Sequence, residues 1–129
     1  MRYLLDTHTV LWFLNDSEKL SKQATAIIED NQTQDDIVIS VASLWEFVIK
    51  HSLGKLSFAG GVANLRIMIE ANSWDVIPIA QSHLERLSDL PFLHRDPFDR
   101  LLSATALSDG MTLVTADDSI HSYDVPWVW

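Results

Sequence analysis

The feature that most constrains the fold is a junction that occurs twice: a short apolar run passes into a helical pattern with no loop between them. "RYLLD" (2–6) reads as a buried strand closing on an acid, and "THTVLWFLND" takes up helical spacing at the next residue. "IVIS" (37–40) repeats the arrangement, followed at once by "VASLWEFVIKHSLGKL". Neighbouring parallel strands need a crossover of a dozen or more residues, usually a helix, whereas antiparallel strands are joined by a tight turn. Repeated strand-then-helix units therefore predict an α/β fold, a three-layer α/β/α sandwich around a parallel sheet of four or five strands.

The remaining segments continue the alternation. Ser17 or Ser21 opens a second helix through "KQATAIIED", and the polar stretch 31–36 leads back to the sheet. The helix after "IVIS" ends at Gly54, in the position where a left-handed residue closes a helix. A further helix spans 60–72, and "WDVIPI" (74–79) is a third strand that Pro78 confines to an edge or an end. Helical patterns return at 80–90 and at 98–110, the second stopped by Gly110. "TLVTAD" (112–117) is a fourth strand and "YDVPWVW" (123–129) a short fifth. With 129 residues and no repeats, the chain is expected to form one domain over 1–129.

Bulk properties exclude several classes of function. The absence of cysteine removes disulfides, thiolate metal sites and cysteine nucleophiles, and is compatible with a cytoplasmic location. No apolar run is long enough to span a membrane, and no signal peptide is expected ahead of the first strand. A net charge of −9 argues against coating nucleic acid by bulk attraction. It leaves room for a nucleic-acid enzyme whose acidic centre is neutralised by divalent cations.

The positions of the acids make that exception specific. Asp6 ends the first strand and Asp117 follows the fourth. Asp99 falls in the first turn of the helix entering the fourth strand, and Glu46 lies on the helix after the second. In an open parallel sheet, ligands bind outside the carboxyl ends of the strands, where strand order reverses. If strands one and four are neighbours there, all four acids converge. Two unit charges ~4 Å apart repel by about 4 kcal/mol at an effective dielectric near 20, so such a group needs protons or a cation. Hard carboxylate oxygens suit Mg²⁺ or Mn²⁺. Each acid also has a local explanation. Asp96 caps the helix that Pro97 begins, which puts Asp99 at N3. Glu46 can complete a capping box with Ser43 or pair with Lys50. Asp6 can cap the first helix, and Asp117 can serve a turn.

Four stretches, "LLDTHTVLWFL", "SVASLWEFVIKHSLGKL", "HRDPFDRLLSATAL" and "LVTADDSI", together resemble the PIN-domain family, in particular its VapC-like ribonuclease toxins. They occur in the family's order and cover essentially the whole chain. The resemblance implies metal-dependent endonucleolytic hydrolysis of RNA, with Asp6, Glu46, Asp99 and Asp117 as the acids that hold Mg²⁺ or Mn²⁺. It implies supporting roles for Thr7, Thr115 and Asp96, and makes His94, Arg95 and Arg100 candidates for substrate phosphate. It further implies a homodimer and a cognate antitoxin protein, for which the apolar stripe Val10, Leu11, Phe13 and Leu14 is a candidate seat, with packing against the sheet accounting for at least half of that stripe. Because few basic residues are available to follow an RNA backbone, Lys50, Lys55, Arg95 and Arg100 are expected to gather beside the metal, within one subunit or across a dimer.

Rival readings fare worse. A ribonuclease H-like nuclease begins with consecutive antiparallel strands, but here a helix follows Asp6. An aspartyl phosphatase needs an acid at position 8, which is His8. A phospho-receiver module needs an aspartate ending its third strand and a lysine after a late one, and neither is present. The histidines lack close helical ligand spacing, and no Gly-x-Ser-x-Gly elbow or phosphate-binding glycine loop occurs. A catalytically silent PIN-like binding module is the remaining alternative.

Overall fold

The computed structural model describes residues 1–30 and 36–129. The polar stretch expected over 31–36 lies, apart from Asp36, outside the described residues. Five strands form one parallel sheet in the order β3-β2-β1-β4-β5. They are β1 (Tyr3–Leu5), β2 (Ile37–Ser40), β3 (Asp75–Ile77), β4 (Thr112–Val114) and β5 (Trp127–Val128). The described helices are α1 (Thr7–Leu14), α2 (Lys22–Glu29), α3 (Val41–Ser52), α4 (Gly61–Ala71), α5 (Gln81–Asp89), α6 (Pro97–Asp109) and α7 (Asp118–His121). The expected α/β/α layering is therefore present, with β3 and β5 at the edges. Pro78 falls just after β3, whose backbone it would otherwise deprive of a donor.

The two faces of the sheet follow from the two-residue period of a strand. In register, Leu4 pairs with Val38 and Leu113, while Leu5 pairs with Ile39 and Val114. Leu4, Val38 and Leu113 pack on one face with Leu102 and Ala106 of α6 and Ile120 of α7. Leu5, Ile39 and Val114 pack on the other with Val10 and Leu11 of α1, Ile28 of α2, Phe47 of α3 and Leu65 of α4. The central strands are buried on both sides, which is why they read as continuous apolar runs.

Helix ends explain how the strands pass so directly into helices. Ser40, the last residue of β2, caps α3 by accepting from the Ala42 N–H at 3.1 Å. Ser21 settles the start of α2, accepting from Ala24 N–H at 3.0 Å. Gly54 and Gly110 hold φ of 72° and 68°, the left-handed conformation expected after α3 and α6. The α1 stripe is spent on the core: Val10 and Leu11 are buried, and Phe13 and Leu14 pack against the same cluster. That is the packing expected for at least half of the stripe, and Phe13 and Leu14 keep part of their surface exposed. No helix among the described residues is long and apolar enough to cross a membrane.

Candidate active site

Strand order reverses between the parallel neighbours β1 and β4, and the loops following these two strands lie side by side. The Asp6 N–H donates to Val114 O at 3.3 Å, which ties the ends of the two strands together. Outside them lies a cavity of about 260 Å³, lined by Asp6, Thr7, His8, Trp12, Glu46, Lys50, Asp96, Asp99, Ala116 and Asp117. All four sequence-predicted acids thus meet in one place, carried by β1, α3, α6 and the segment after β4.

Three aspartates at the site also start helices. Asp6 Oδ1 accepts from the Thr9 N–H at 2.9 Å and the Thr9 hydroxyl at 2.6 Å. Asp117 accepts from the Ser119 N–H at 2.8 Å. Asp96 accepts from Phe98 N–H at 2.9 Å and Asp99 N–H at 3.3 Å, with Pro97 in the first turn. Asp96 is the cap and Asp99 projects from the third helical position, as the sequence implied. The local explanation and the functional one are therefore compatible, because a strand running straight into a helix puts a capping carboxylate at the strand's carboxyl end.

Glu46 is buried yet fully partnered. Thr7 Oγ1 donates to its Oε1 at 2.5 Å, and Lys50 Nζ meets its Oε2 at 2.5 Å. Of its two expected local partners, Lys50 is the actual one. Ser43 sits three residues into α3, too late to cap it, and its buried hydroxyl finds no partner among the described residues. Thr115 is buried, accepts from the Asp117 N–H at 3.1 Å and donates towards Asp6, so it bridges two of the acids.

The electrostatics record the crowding. Burial, then the charges of Asp96, Asp117 and Glu46, push the Asp99 carboxyl up to about 8. Asp117 moves the other way: burial opposes ionisation, but the Ser119 N–H and the proton held by Asp99 keep it below the usual carboxylate range. The two carboxyls therefore share one proton, which rests on Asp99. Burial likewise raises Asp6, against hydrogen bonds from Thr115 and Thr9. Partial burial works against the Lys50 ammonium, but Glu46 and the charges of Asp96 and Asp99 hold it above its ordinary range. This donor set fits a hard divalent cation, because the like charges that force a proton onto Asp99 are what a cation relieves. Donor atoms of His94, Asp99 and Asp117 all lie within 4.8 Å of one another.

Within one subunit the four basic residues do not gather at the cavity. Lys50 lines the cavity because it stands one turn from Glu46 on the same helix face. His94 reaches the acids, though not the cavity wall, from the loop before α6, its Nε2 lying 2.9 Å from Asp99 Oδ2. Arg100 is turned away: its Nη1 donates to Pro91 O and to the Tyr123 hydroxyl, each at 3.0 Å, and its guanidinium stacks over Phe92. Successive helical residues project about 100° apart at 3.6 per turn, so aiming Asp99 at the cavity aims Arg100 elsewhere. Arg95 lies on a separate groove with Leu84, Phe92 and Pro97. Lys55 follows the end of α3, which at a rise of about 1.5 Å per residue lies ~9 Å beyond Glu46. The sequence reading also missed His8 and Trp12. They stand one turn apart on α1, with ring centroids 5.5 Å apart, and both line the cavity. The i, i+4 spacing after Asp6 was the available signal.

Comparison with known proteins identifies the family. The PIN domain family model matches residues 3–126. Ribonuclease VapC22 of Mycobacterium tuberculosis is 25% identical over 134 residues, covering 95% of this chain and 92% of that protein. Among solved structures, VapBC2 from Rickettsia felis bound to a promoter DNA fragment aligns over 99% of this chain and 98% of that one, with a TM-score of 0.73 and 16% identity. FitAcB from Neisseria gonorrhoeae aligns over 98% and 96%, with a TM-score of 0.69 and 16% identity. The family match extends over nearly the whole length, and the chain belongs to the PIN-domain family.

Proposed function

We propose that this chain is a divalent-metal-dependent endoribonuclease, and that it is the toxin of a toxin–antitoxin pair. The observation that carries the reading is the meeting of Asp6, Glu46, Asp99 and Asp117 in one cavity where strand order reverses. The similarity to a ribonuclease of the VapC type supports the substrate class. The VapBC and FitAcB structures among its neighbours support an antitoxin partner.

In this reading, Asp99, Asp117 and Asp6 hold Mg²⁺ or Mn²⁺, with Glu46 completing the acidic set. Such an ion, when bound, activates water and stabilises the charge that develops on a phosphodiester in hydrolysis. The protein's own groups do the positioning. Thr7 and Lys50 fix the Glu46 carboxylate, and Thr115 fixes the loop that presents Asp117. Lys50 is the cation available in the cavity to meet a phosphate oxygen. Asp96 holds the first turn of α6, and so the direction of Asp99.

The same reading includes a homodimer in the cytoplasm, with one domain over 1–129. Helix α3 supports the dimer: it buries Leu44 and Phe47, yet leaves Val41, Trp45, Val48 and Ile49 exposed, as is Leu53 at its C-cap. A helix apolar on both sides is normally covered on both, and we assign the outer face to a second copy. The phospho-receiver alternative falls on topology. That module has strand order 2-1-3-4-5, whereas here β3 lies at the edge, away from β1.

The deciding experiment is cleavage of RNA by purified protein with Mg²⁺, with Mn²⁺ and with chelator, beside Asp99→Asn. Cleavage that requires the metal and disappears in the variant is expected. Equal cleavage by the variant would refute the site assignment, and metal-independent cleavage would refute the mechanism.

A further inference from the structure

His94 is the group at this site whose role the carboxylate chemistry leaves undefined. Its donor atom sits among those of Asp99 and Asp117, within 4.8 Å, so position alone makes it a third ligand. Its hydrogen bonds say otherwise. The Arg95 backbone N–H donates to His94 Nδ1 at 3.0 Å, so that nitrogen carries a lone pair and no hydrogen. In a neutral imidazole the hydrogen is then on Nε2. Nε2 faces Asp99 Oδ2 at 2.9 Å and Asp117 Oδ2 at 3.8 Å, where an N–H is a donor between two acceptors. To ligate an ion, Nε2 must lose this hydrogen to Nδ1. The new Nδ1–H would then confront the Arg95 N–H and lose its partner.

The ring is also tethered from behind. The His94 backbone N–H donates to the Tyr123 hydroxyl at 3.0 Å, and the buried Tyr123 accepts from Arg100, which also holds Pro91 O. Loop 91–95 is thereby tied to α6 through Arg100 at Pro91 and, by way of the Tyr123 hydroxyl, at the His94 backbone. This is the arrangement of a group that orients a ligand rather than one that serves as a ligand.

We propose that His94 is a positioning residue: it donates Nε2–H to Asp99 Oδ2, leaves the other Asp99 oxygen for the cation, and does not itself bind the ion. The proposal rests on the metal-site reading above. Its consequence is an all-oxygen site, with Asp99 contributing a single oxygen, and hence no intrinsic bias towards nitrogen-preferring transition ions.

The test is pulsed electron paramagnetic resonance of the full chain loaded with Mn²⁺ and labelled with ¹⁵N-histidine. Direct histidine-nitrogen coupling is expected to be absent. Its presence overturns the proposal and leaves the metal site standing. A wild-type chain that binds no Mn²⁺ in titration removes the metal-site reading and the proposal together. In parallel, His94→Ala is expected to lower Mn²⁺ and Mg²⁺ affinity alike, by roughly 10- to 100-fold as for other partners of metal ligands. His94→Gln, which restores an N–H donor, should recover most of that loss. In an Asp99→Asn background the His94→Ala effect should vanish. Loss of Mn²⁺ affinity with Mg²⁺ affinity preserved would overturn the proposal, because that is the signature of a lost nitrogen ligand.

Discussion

At the scale of single residues, Asp99 carries the most information about the site. It is held at about 8 by burial and by the surrounding carboxylates, far from the ordinary value near 3.9. Between those two values the folded chain retains a proton that the unfolded chain has released. Stability therefore falls with rising pH across that window: the contribution of this group is fully present below about 4 and is gone above about 8. Without metal, wild-type stability from urea unfolding is expected to drop relative to Asp99→Asn by on the order of 4 kcal/mol between pH 5 and pH 8. Saturating Mg²⁺ should remove the difference in slope. Parallel pH curves for the two proteins in chelator would mean that Asp99 is not crowded as described. The sequence showed which acids matter, because a strand end and a helix start are both visible in "RYLLD-T" and "DPFD". It did not show that Asp99 and Asp117 share a proton, or that His94 donates to Asp99. Those depend on Tyr123, Ser119 and a backbone N–H, whose placement is set by the tertiary fold.

At the scale of elements, the helices were legible where capping chemistry marked their ends and ambiguous where it did not. Ser21, Asp96, Gly54 and Gly110 all act where the pattern put them. Ser43 misled because Ser40, the last strand residue, already caps α3, leaving no role for a second serine one turn later. The apolar content of α1 and α3 was visible, but not which face each helix buries. Helix α1 spends Val10, Leu11, Phe13 and Leu14 on the core, whereas α3 keeps a second apolar face outside. Trp45 is 56% exposed and meets the ring of Phe98 edge-on at 5.0 Å, so the outer face of α3 continues onto the start of α6. A charge placed there, as in Trp45→Glu with Val48→Glu, is expected to convert a dimer into a monomer in light scattering with little change in melting temperature. A variant that remains dimeric would move the interface elsewhere. A wild-type chain that is monomeric at high concentration would remove the homodimer from the proposed function.

At the scale of the whole molecule, the acidic balance decides how RNA is held. The chain carries 9 basic residues against 18 acidic ones. The sequence suggested that four of the basic ones gather at the metal, but the fold brings Lys50 alone of those four to the cavity. Helix geometry directs Arg100 into the support of loop 91–95, and Arg95 lies on another groove. Affinity must then rest on the cation, on Lys50 and on the aromatic rings at the rim, His8 and Trp12, which suit stacking on unpaired bases. Counterion release gives a slope of about −0.7 per phosphate neutralised on a single strand. For single-stranded RNA bound to Asp99→Asn at constant Mn²⁺, log affinity against log salt is expected to be shallow, between about −0.7 and −1.4 for one or two phosphate contacts per site. Lys50→Ala should flatten it further, whereas Arg100→Ala should act only through loop 91–95 and leave the slope unchanged. A slope of −3 or steeper would mean that several basic side chains track the backbone. Lys55, Arg95 and Arg100, which do not line the acidic cavity of their own subunit, would then have to reach the strand across two subunits.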